Sequence, residues 1–361
     1  MRVTLEEIAR ATGVSKATVS RVLNDVPEGV GAATRERVKE ALRRFGYVSG
    51  EQNVAMNIRS RCIGLIVPDI TNPFFSEIAR EVSAKAMSRD YMVILGDSGF
   101  SLNREDEAIR FMLSKKIDGM ILVSAGSVCN ETHELLEKYS VPCLLLDRDV
   151  VGMKRVATVV SDNVQISYTC CELLMNHGSF DIAYITGPTD VSTARERLEG
   201  YRKALERFNI PYREELIKIG NYTMDSGYNA VLELQRSGVR FSAVMAANDM
   251  MALGAMKALQ ELDYDIPKSA EIIGFDNIVF SQITDPPLTT VQQPTIEMGQ
   301  GCGAQNSYDM GYQGCKNLCE TILGTRTDYV PGEVELLEVP KLNKANLEGV
   351  QAFLDILNRF E

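Results

Sequence analysis

Apolar positions follow two different rhythms along this chain. In the first forty-six residues they recur every three or four positions. From Cys62 to about Val291 they come in runs of four to six, separated by amphipathic stretches of helical length. In the opening part Leu5, Ile8 and Ala9 share one helical face, and Thr4 and Glu7 stand at capping-box spacing. Gly13-Val14-Ser15 interrupts that pattern with a left-handed residue followed by a good N-cap, so a second helix is expected, with Val19, Val22 and Leu23 as its apolar stripe. Lys16, Ala17, Ser20 and Arg21 are left on its outer face, which suits a major groove. After the Pro- and Gly-bearing loop VPEGVGAA, the positions Val38, Ala41, Leu42 and Phe45 predict a third helix, ended by Gly46.

The later rhythm predicts a different class of structure. CIGLIV, YMVIL, GMILV, CLLL, IAYIT, AVMA and EIIGF read as short strands buried on both faces, and the segments between them as helices. Alternation of this kind makes βαβ units and parallel, doubly wound sheets. Their order suggests two successive α/β lobes.

A length of 361 residues with 45% apolar content supports two or three domains. The formal charge of −11 speaks against a generally nucleic-acid-coated protein until it is divided: residues 1–61 carry +4 and the remainder −15, so the basic part is the head. No apolar run reaches membrane-spanning length, and MRVTLEEIAR has no signal-peptide core, so a cytoplasmic protein without a membrane partner is expected. Eight cysteines without a CxxC pair, and only His133 and His177, fit neither a metal site nor a disulfide framework and read as reduced thiols. Neither a Ser-His-Asp nor a Cys-His set can be assembled from them, so no catalytic residue, metal or cofactor is expected and the chain does not read as an enzyme. His177, in the helix-ending NHG, reads as a C-terminal cap.

The stretch TLEEIARATGVSKATVSRVLND, with GVS and then TVSRVLN, resembles the headpiece of the LacI/GalR family of transcription regulators nearly residue for residue. The following body resembles the periplasmic-binding-protein type I fold of those regulators and of sugar-binding proteins. The resemblance implies a helix-turn-helix headpiece over 1–47 and a hinge over 48–61. A first lobe then covers 62–160, completed in part by 288–361 through LTTVQQP crossing back, and a second lobe covers 161–287. It implies a homodimeric repressor that reads a near-palindromic double-stranded operator. The DNA contacts would come from Thr4, Lys16, Ala17, Thr18, Ser20, Arg21 and Asn24, with Arg21 on a base edge and Thr18 and Ser20 on phosphates. Met56 stands where the family has a leucine that enters the minor groove when the hinge helices pair. Ser49-Gly50-Glu51 departs from the family pattern. Glycine lowers helix propensity and an acid would face phosphate, so a weak hinge is expected.

An effector, expected to be a carbohydrate, would bind between the lobes at the strand C-terminal ends. PDITNPFF supplies Asn72, Phe74 and Phe75, of which one phenylalanine could stack on a sugar while both could equally be core. LLLDRD supplies Asp147 and Arg148, and GPTDVSTARERLEG supplies Thr193 and Arg197. By resemblance Arg197 fixes hydroxyls or a carboxylate, against a plain surface ion pair as the alternative. Tyr222 stands where the family has an aromatic lid. Asn248 could cap a helix and also reach ligand, Asp276 matches the family's acid for vicinal hydroxyls, and Gln293 completes the set.

The last sixty residues depart from the regulators. QQPTIEMG is echoed by AQNSYDMG, pairing Gln293 with Gln305, and the first copy is expected to line the cleft. The remainder resembles the tail of ribose-type periplasmic sugar-binding proteins, which keeps a transport receptor as the alternative function. Leu347, Val350, Leu354 and Leu357 have heptad spacing too short to count as a coiled coil.

Overall fold

The computed structural model describes residues 5–23, 29–44, 60–153, 157–293 and 336–338. The chain divides into two units, Met1–Arg59 and Ser60–Glu361.

In the first unit, helices α1 (Leu5–Thr12), α2 (Lys16–Leu23) and α3 (Ala32–Arg44) close a small core around Ile8, Ala9, Val19, Val22 and Val38. These are the apolar positions that the spacing singled out, with Leu5, Ala41 and Leu42 packed against them. Gly13 takes φ +63° at the turn, and Ser15 Oγ accepts the Thr18 N–H at 3.1 Å, so one residue ends a helix and another starts the next. Burying each of the larger side chains contributes about 1.5–3 kcal/mol, so the unit rests on only a handful of such contacts. Phe45 and Gly46, and the hinge with Gly50, Glu51 and Met56, lie outside the described residues.

The second unit contains two parallel sheets. In the first, β1 (Cys62–Val67), β2 (Met92–Asp97), β3 (Gly119–Leu122), β4 (Cys143–Leu146) and β5 (Ala157–Val159) are ordered β2-β1-β3-β4-β5. Their helices are α4 (Pro73–Met87), α5 (Leu102–Ser114) and α6 (Glu131–Lys138). The second sheet has the order β11-β10-β9-β8-β6-β7, built from β6 (Ile182–Thr186), β7 (Ile217–Ile219), β8 (Ala243–Ala246), β9 (Glu271–Asp276), β10 (Thr289–Gln292) and β11 (Leu336–Glu338). It carries α7 (Asn163–Asn176), α8 (Ser192–Arg207), α9 (Met224–Ser237) and α10 (Asp249–Glu261). One large apolar cluster extends through both lobes, from Ile63 and Phe75 to Tyr222 and Val291. No helix among the described residues is long and apolar enough to cross a membrane.

Every apolar run read as a strand is one. Three strands were not anticipated, β5, β7 and β11, each three residues long and too brief to stand out. One expectation is corrected: LTTVQQ does not return to the first lobe. Thr289–Gln292 pairs in parallel with Ile273–Asp276 in the second sheet, and β11 adds beyond it. The reason is polar as well as apolar. Thr290 is fully buried there and donates its hydroxyl to the buried carboxylate of Asp249, a partner that only the second lobe offers. Where the chain runs beyond Gln293 lies outside the described residues, apart from β11.

Cys143, Cys170 and Cys171 are buried free thiols and Cys62 and Cys129 half-buried ones, and burial pushes the Cys170 thiol up to about 12. His177 does cap α7 and pairs with Glu271 at 2.8 Å.

Candidate ligand cavity and nucleic-acid face

Strand ends supply the cavity. Asn72 follows β1, Asp147 and Arg148 follow β4, Tyr222 follows β7, Asn248 follows β8, Asp276 ends β9, and Gln293 follows β10. Together with Phe74, Phe75 and, from α8, Thr193 and Arg197, these residues line one cavity between the two sheets. It contains all eleven positions expected of the cleft. Its free space is small, about 20 Å³, room for a single water.

The polar members are fixed by the elements that present them. Asn72 is the N-cap of α4, accepting the Phe74 N–H at 3.1 Å, with Pro73 opening the helix. Asn248 caps α10 through the Met251 N–H at 2.9 Å and donates to the Tyr222 carbonyl at 3.0 Å. The capping role read from its position is therefore present beside its place on the cavity wall. Phe74 and Phe75 are both in the core and both border the cavity, packed edge to face with centroids 5.0 Å apart, so the choice between core and wall does not arise.

The two arginines are held differently. Arg197 is 4% exposed, which removes the surface ion-pair alternative. Its Nε donates to Asn163 Oδ1 at 2.9 Å, its Nη1 to the Ala247 carbonyl, and its guanidinium lies 3.5 Å above the Phe275 ring. Arg148 donates through Nη1 to the Ser124 carbonyl at 3.0 Å. Its guanidinium sits 5.4–6.0 Å from the rings of Tyr222, Phe100 and Phe75. Its Nε is buried without a hydrogen-bond partner among the described residues, although Asp147 Oδ2 is 3.5 Å away.

Two carboxylates answer these cations. Burial pushes the Asp147 carboxyl above its usual range, with Arg148 and Arg197 pulling it back. Asp276 is pushed up to about 7, by burial first, against the attraction of Arg197 and the hydrogen bond from Gln293. Gln293 Nε2 donates to Asp276 Oδ1 at 3.0 Å while its Oε1 accepts from Ser161 Oγ at 2.9 Å. Gln305 lies outside the described residues.

Tyr222 closes the cavity on the second lobe. Its backbone has φ +66°, its hydroxyl meets Thr193 Oγ1 at 3.3 Å, and its ring stacks on Phe100 of the first lobe with centroids 5.8 Å apart. Gly187 makes room for it: a Cβ there would fall 2.2 Å from the tyrosine Cζ. On the headpiece, Lys16, Ala17 and Arg21 are exposed and Thr18 and Ser20 half-buried, along one side of α2. Thr4, Asn24 and Met56 lie outside the described residues.

Residues 4–49 match the family described as bacterial regulatory proteins, lacI family. Residues 60–322 match periplasmic binding proteins and sugar binding domain of LacI family. The chain belongs to the LacI family. Among its LacI-family relatives, the transcriptional repressor CytR of Escherichia coli K12 is 35% identical over 300 residues, covering 82% of this chain and 86% of CytR. Catabolite control protein A of Priestia megaterium is 35% identical over 304 residues, 83% of this chain and 90% of that protein. Among solved structures, the transcriptional regulator CelR–cellobiose complex is 29% identical with a TM-score of 0.63, covering 96% of this chain and all of CelR. The lac repressor dimer bound to operator and the anti-inducer ONPF is 25% identical with a TM-score of 0.60, covering 96% and 99%. CytR is named as a transcriptional repressor and CelR as a transcriptional regulator, and the headpiece is part of the match, so the transport-receptor alternative is set aside.

Some wall and support residues of this LacI-family body escaped the sequence reading. Phe100 stacks on Tyr222 and faces Arg148. The usable signal was an aromatic just after a strand end, in DSGF, the same placement that drew attention to Asp147. Asn163 and Ser161, which hold Arg197 and Gln293, had no local signal.

Proposed function

We propose that this LacI-family regulator is a cytoplasmic, homodimeric repressor whose two headpieces read a near-palindromic operator and whose interlobe cavity takes a hydroxyl-rich effector, a carbohydrate. The observation that carries the effector reading is the convergence of two guanidiniums, two carboxylates, three amides and three aromatic rings from both lobes on one cavity at the strand ends. Paired charges and amides read hydroxyls, and ring faces cover the apolar side of a sugar. Nothing in that set provides a nucleophile with its base, so the site binds rather than catalyses.

Its present free space admits one water, whereas ligand cavities run to about 300 Å³ and more. Occupation therefore requires the Phe100–Tyr222 contact, Arg148 or the lobes themselves to move. That movement is the two-state element through which an effector biases pairing of the two hinges, and so operator affinity.

The test is to sequence the DNA fragments retained by the protein with and without a panel of monosaccharides, disaccharides and nucleosides. A shared palindromic motif whose retention changes with one panel member is expected. An unchanged set of fragments across the panel rejects effector control by these classes. On the operator so obtained, Arg21→Ala should remove sequence preference, worth roughly 1–3 kcal/mol, while leaving salt-sensitive binding to scrambled DNA. Equal weakening on both sequences assigns Arg21 to phosphate.

A further inference from the structure

Glu105 is a charged side chain with no exposure at all, on the first turn of α5, and it does not line the cavity. A carboxylate in that position needs several donors, and it has them. Its Oε1 accepts the Ser124 hydroxyl at 2.9 Å and His133 Nε2 at 3.0 Å, and its Oε2 accepts the Ala125 N–H. The Asn130 N–H donates to His133 Nδ1 at 3.3 Å, which leaves Nε2 as the protonated nitrogen facing the carboxylate. Helix α5 holds the same loop at two further points, through Asp106 with Asn130 and Arg110 with Thr132.

The Ala125 N–H and the Ser124 carbonyl belong to one planar trans peptide, so they point in opposite directions. Fixing the N–H on Glu105 aims the carbonyl away from it, and that carbonyl is the acceptor of Arg148 Nη1. A charged acceptor on one side of a peptide also polarises it and strengthens the acceptor on the other. Apart from this carbonyl, Arg148 has the Asp147 carboxylate 3.5 Å from its Nε, without hydrogen-bond geometry, and three ring faces.

We propose that Glu105, fixed by His133, is the positioning residue for Arg148, acting through the Ser124–Ala125 peptide to set where the first lobe's guanidinium stands in the cavity. The buried Glu105–His133 pair is then a supporting device of the cavity rather than only a tie between α5 and α6. This rests on the effector reading for its consequence but not for its test, because the position of Arg148 can be observed without any ligand.

The test follows the side-chain Nη–H signals of Arg148 and Arg197, each of which gives Nη1 to a backbone carbonyl, by nuclear magnetic resonance at low temperature in the full-length protein, the Arg148 signal being identified by its loss in Arg148→Lys. In Glu105→Gln the single remaining acceptor cannot serve three donors. Solvent exchange at Arg148 should rise about tenfold, the ratio expected for losing a hydrogen bond to a charged group, while Arg197 keeps its rate. His133→Leu should raise the Arg148 rate by a smaller factor, and His133→Gln, which keeps a donor at the Nε2 position, should restore it. If Glu105→Gln does not fold, the two His133 variants decide. Equal acceleration of Arg148 and Arg197 means general loosening of the lobe and overturns the proposal. An unchanged Arg148 signal in Glu105→Gln, or in His133→Leu, overturns it as well.

Discussion

The two lobes each bring one arginine to the same cavity and support it in opposite ways. Arg197 has a carboxamide on Nε, a carbonyl on Nη1 and a ring at 3.5 Å, all from the second lobe. Arg148 has one carbonyl, three aromatic rings at longer range and the Asp147 carboxylate 3.5 Å from its Nε without hydrogen-bond geometry. A guanidinium tied at several donors is a preorganised reader, costing little to align. One tied at a single donor among ring faces can shift, and one of those rings, Tyr222, belongs to the opposite lobe. If the cavity takes the proposed effector, the second lobe would supply fixed recognition and the first accommodation.

The largest expected effect is at the fixed arginine. Arg197→Ala removes the cation that attracts the Asp276 carboxyl most and takes the donor from Asn163 Oδ1 and from the Ala247 carbonyl. Loss of about 3–5 kcal/mol of stability should accompany it, together with at least a tenfold loss in affinity for the panel sugar that binds best. Chemical denaturation and calorimetry measure the two. A variant that keeps both would place the anchor elsewhere.

Asp276 sharpens the comparison through pH. Its folded carboxyl is raised from the ordinary 3.8 to about 7, by burial before anything else, so the folded state holds a proton that the unfolded chain has released. The contribution is fully present below about pH 4 and is lost as pH rises through about 7, a change on the order of 4 kcal/mol. Asp276→Asn should flatten that part of the stability profile, read from unfolding at several pH values. A wild-type profile without the decline would contradict the burial argument.

At the adaptable arginine the effect should be smaller. Arg148→Ala leaves the Ser124 carbonyl unpaired and takes one of two cations from Asp147, with Arg197 still attracting that carboxyl, so about 1–3 kcal/mol of stability is at stake. Affinity should change less than in Arg197→Ala. The reverse order in calorimetry would exchange the roles of the two lobes. Smallest of all, Phe100→Leu removes the ring contact with Tyr222, about 1 kcal/mol. It should show chiefly as faster association of the ligand in stopped-flow mixing, and an unchanged rate would mean that the stack does not gate entry.

Much of this was legible in the chain itself. The two hydrophobic periods separated a helical head from a parallel α/β body, because helix and strand faces demand different spacings. Turn and cap residues such as Gly13, Ser15 and Asn248 announced themselves because their effect is local. Most cleft residues were readable because strand ends are where open α/β sheets expose side chains, and Arg197, Tyr222 and Asp276 because they stand at positions of the family pattern. What tertiary structure alone decided is of another kind. It determined that β10 pairs with β9 rather than returning to the first sheet, since that choice depended on Asp249 needing Thr290. It brought Phe100 against Tyr222 from 122 positions away, a contact that no spacing rule can express. It also gave the two arginines different surroundings. Identical side chains at strand and helix ends carry no record in the sequence of which donors their neighbours will satisfy, because burial and hydrogen-bond partners are properties of the packed chain.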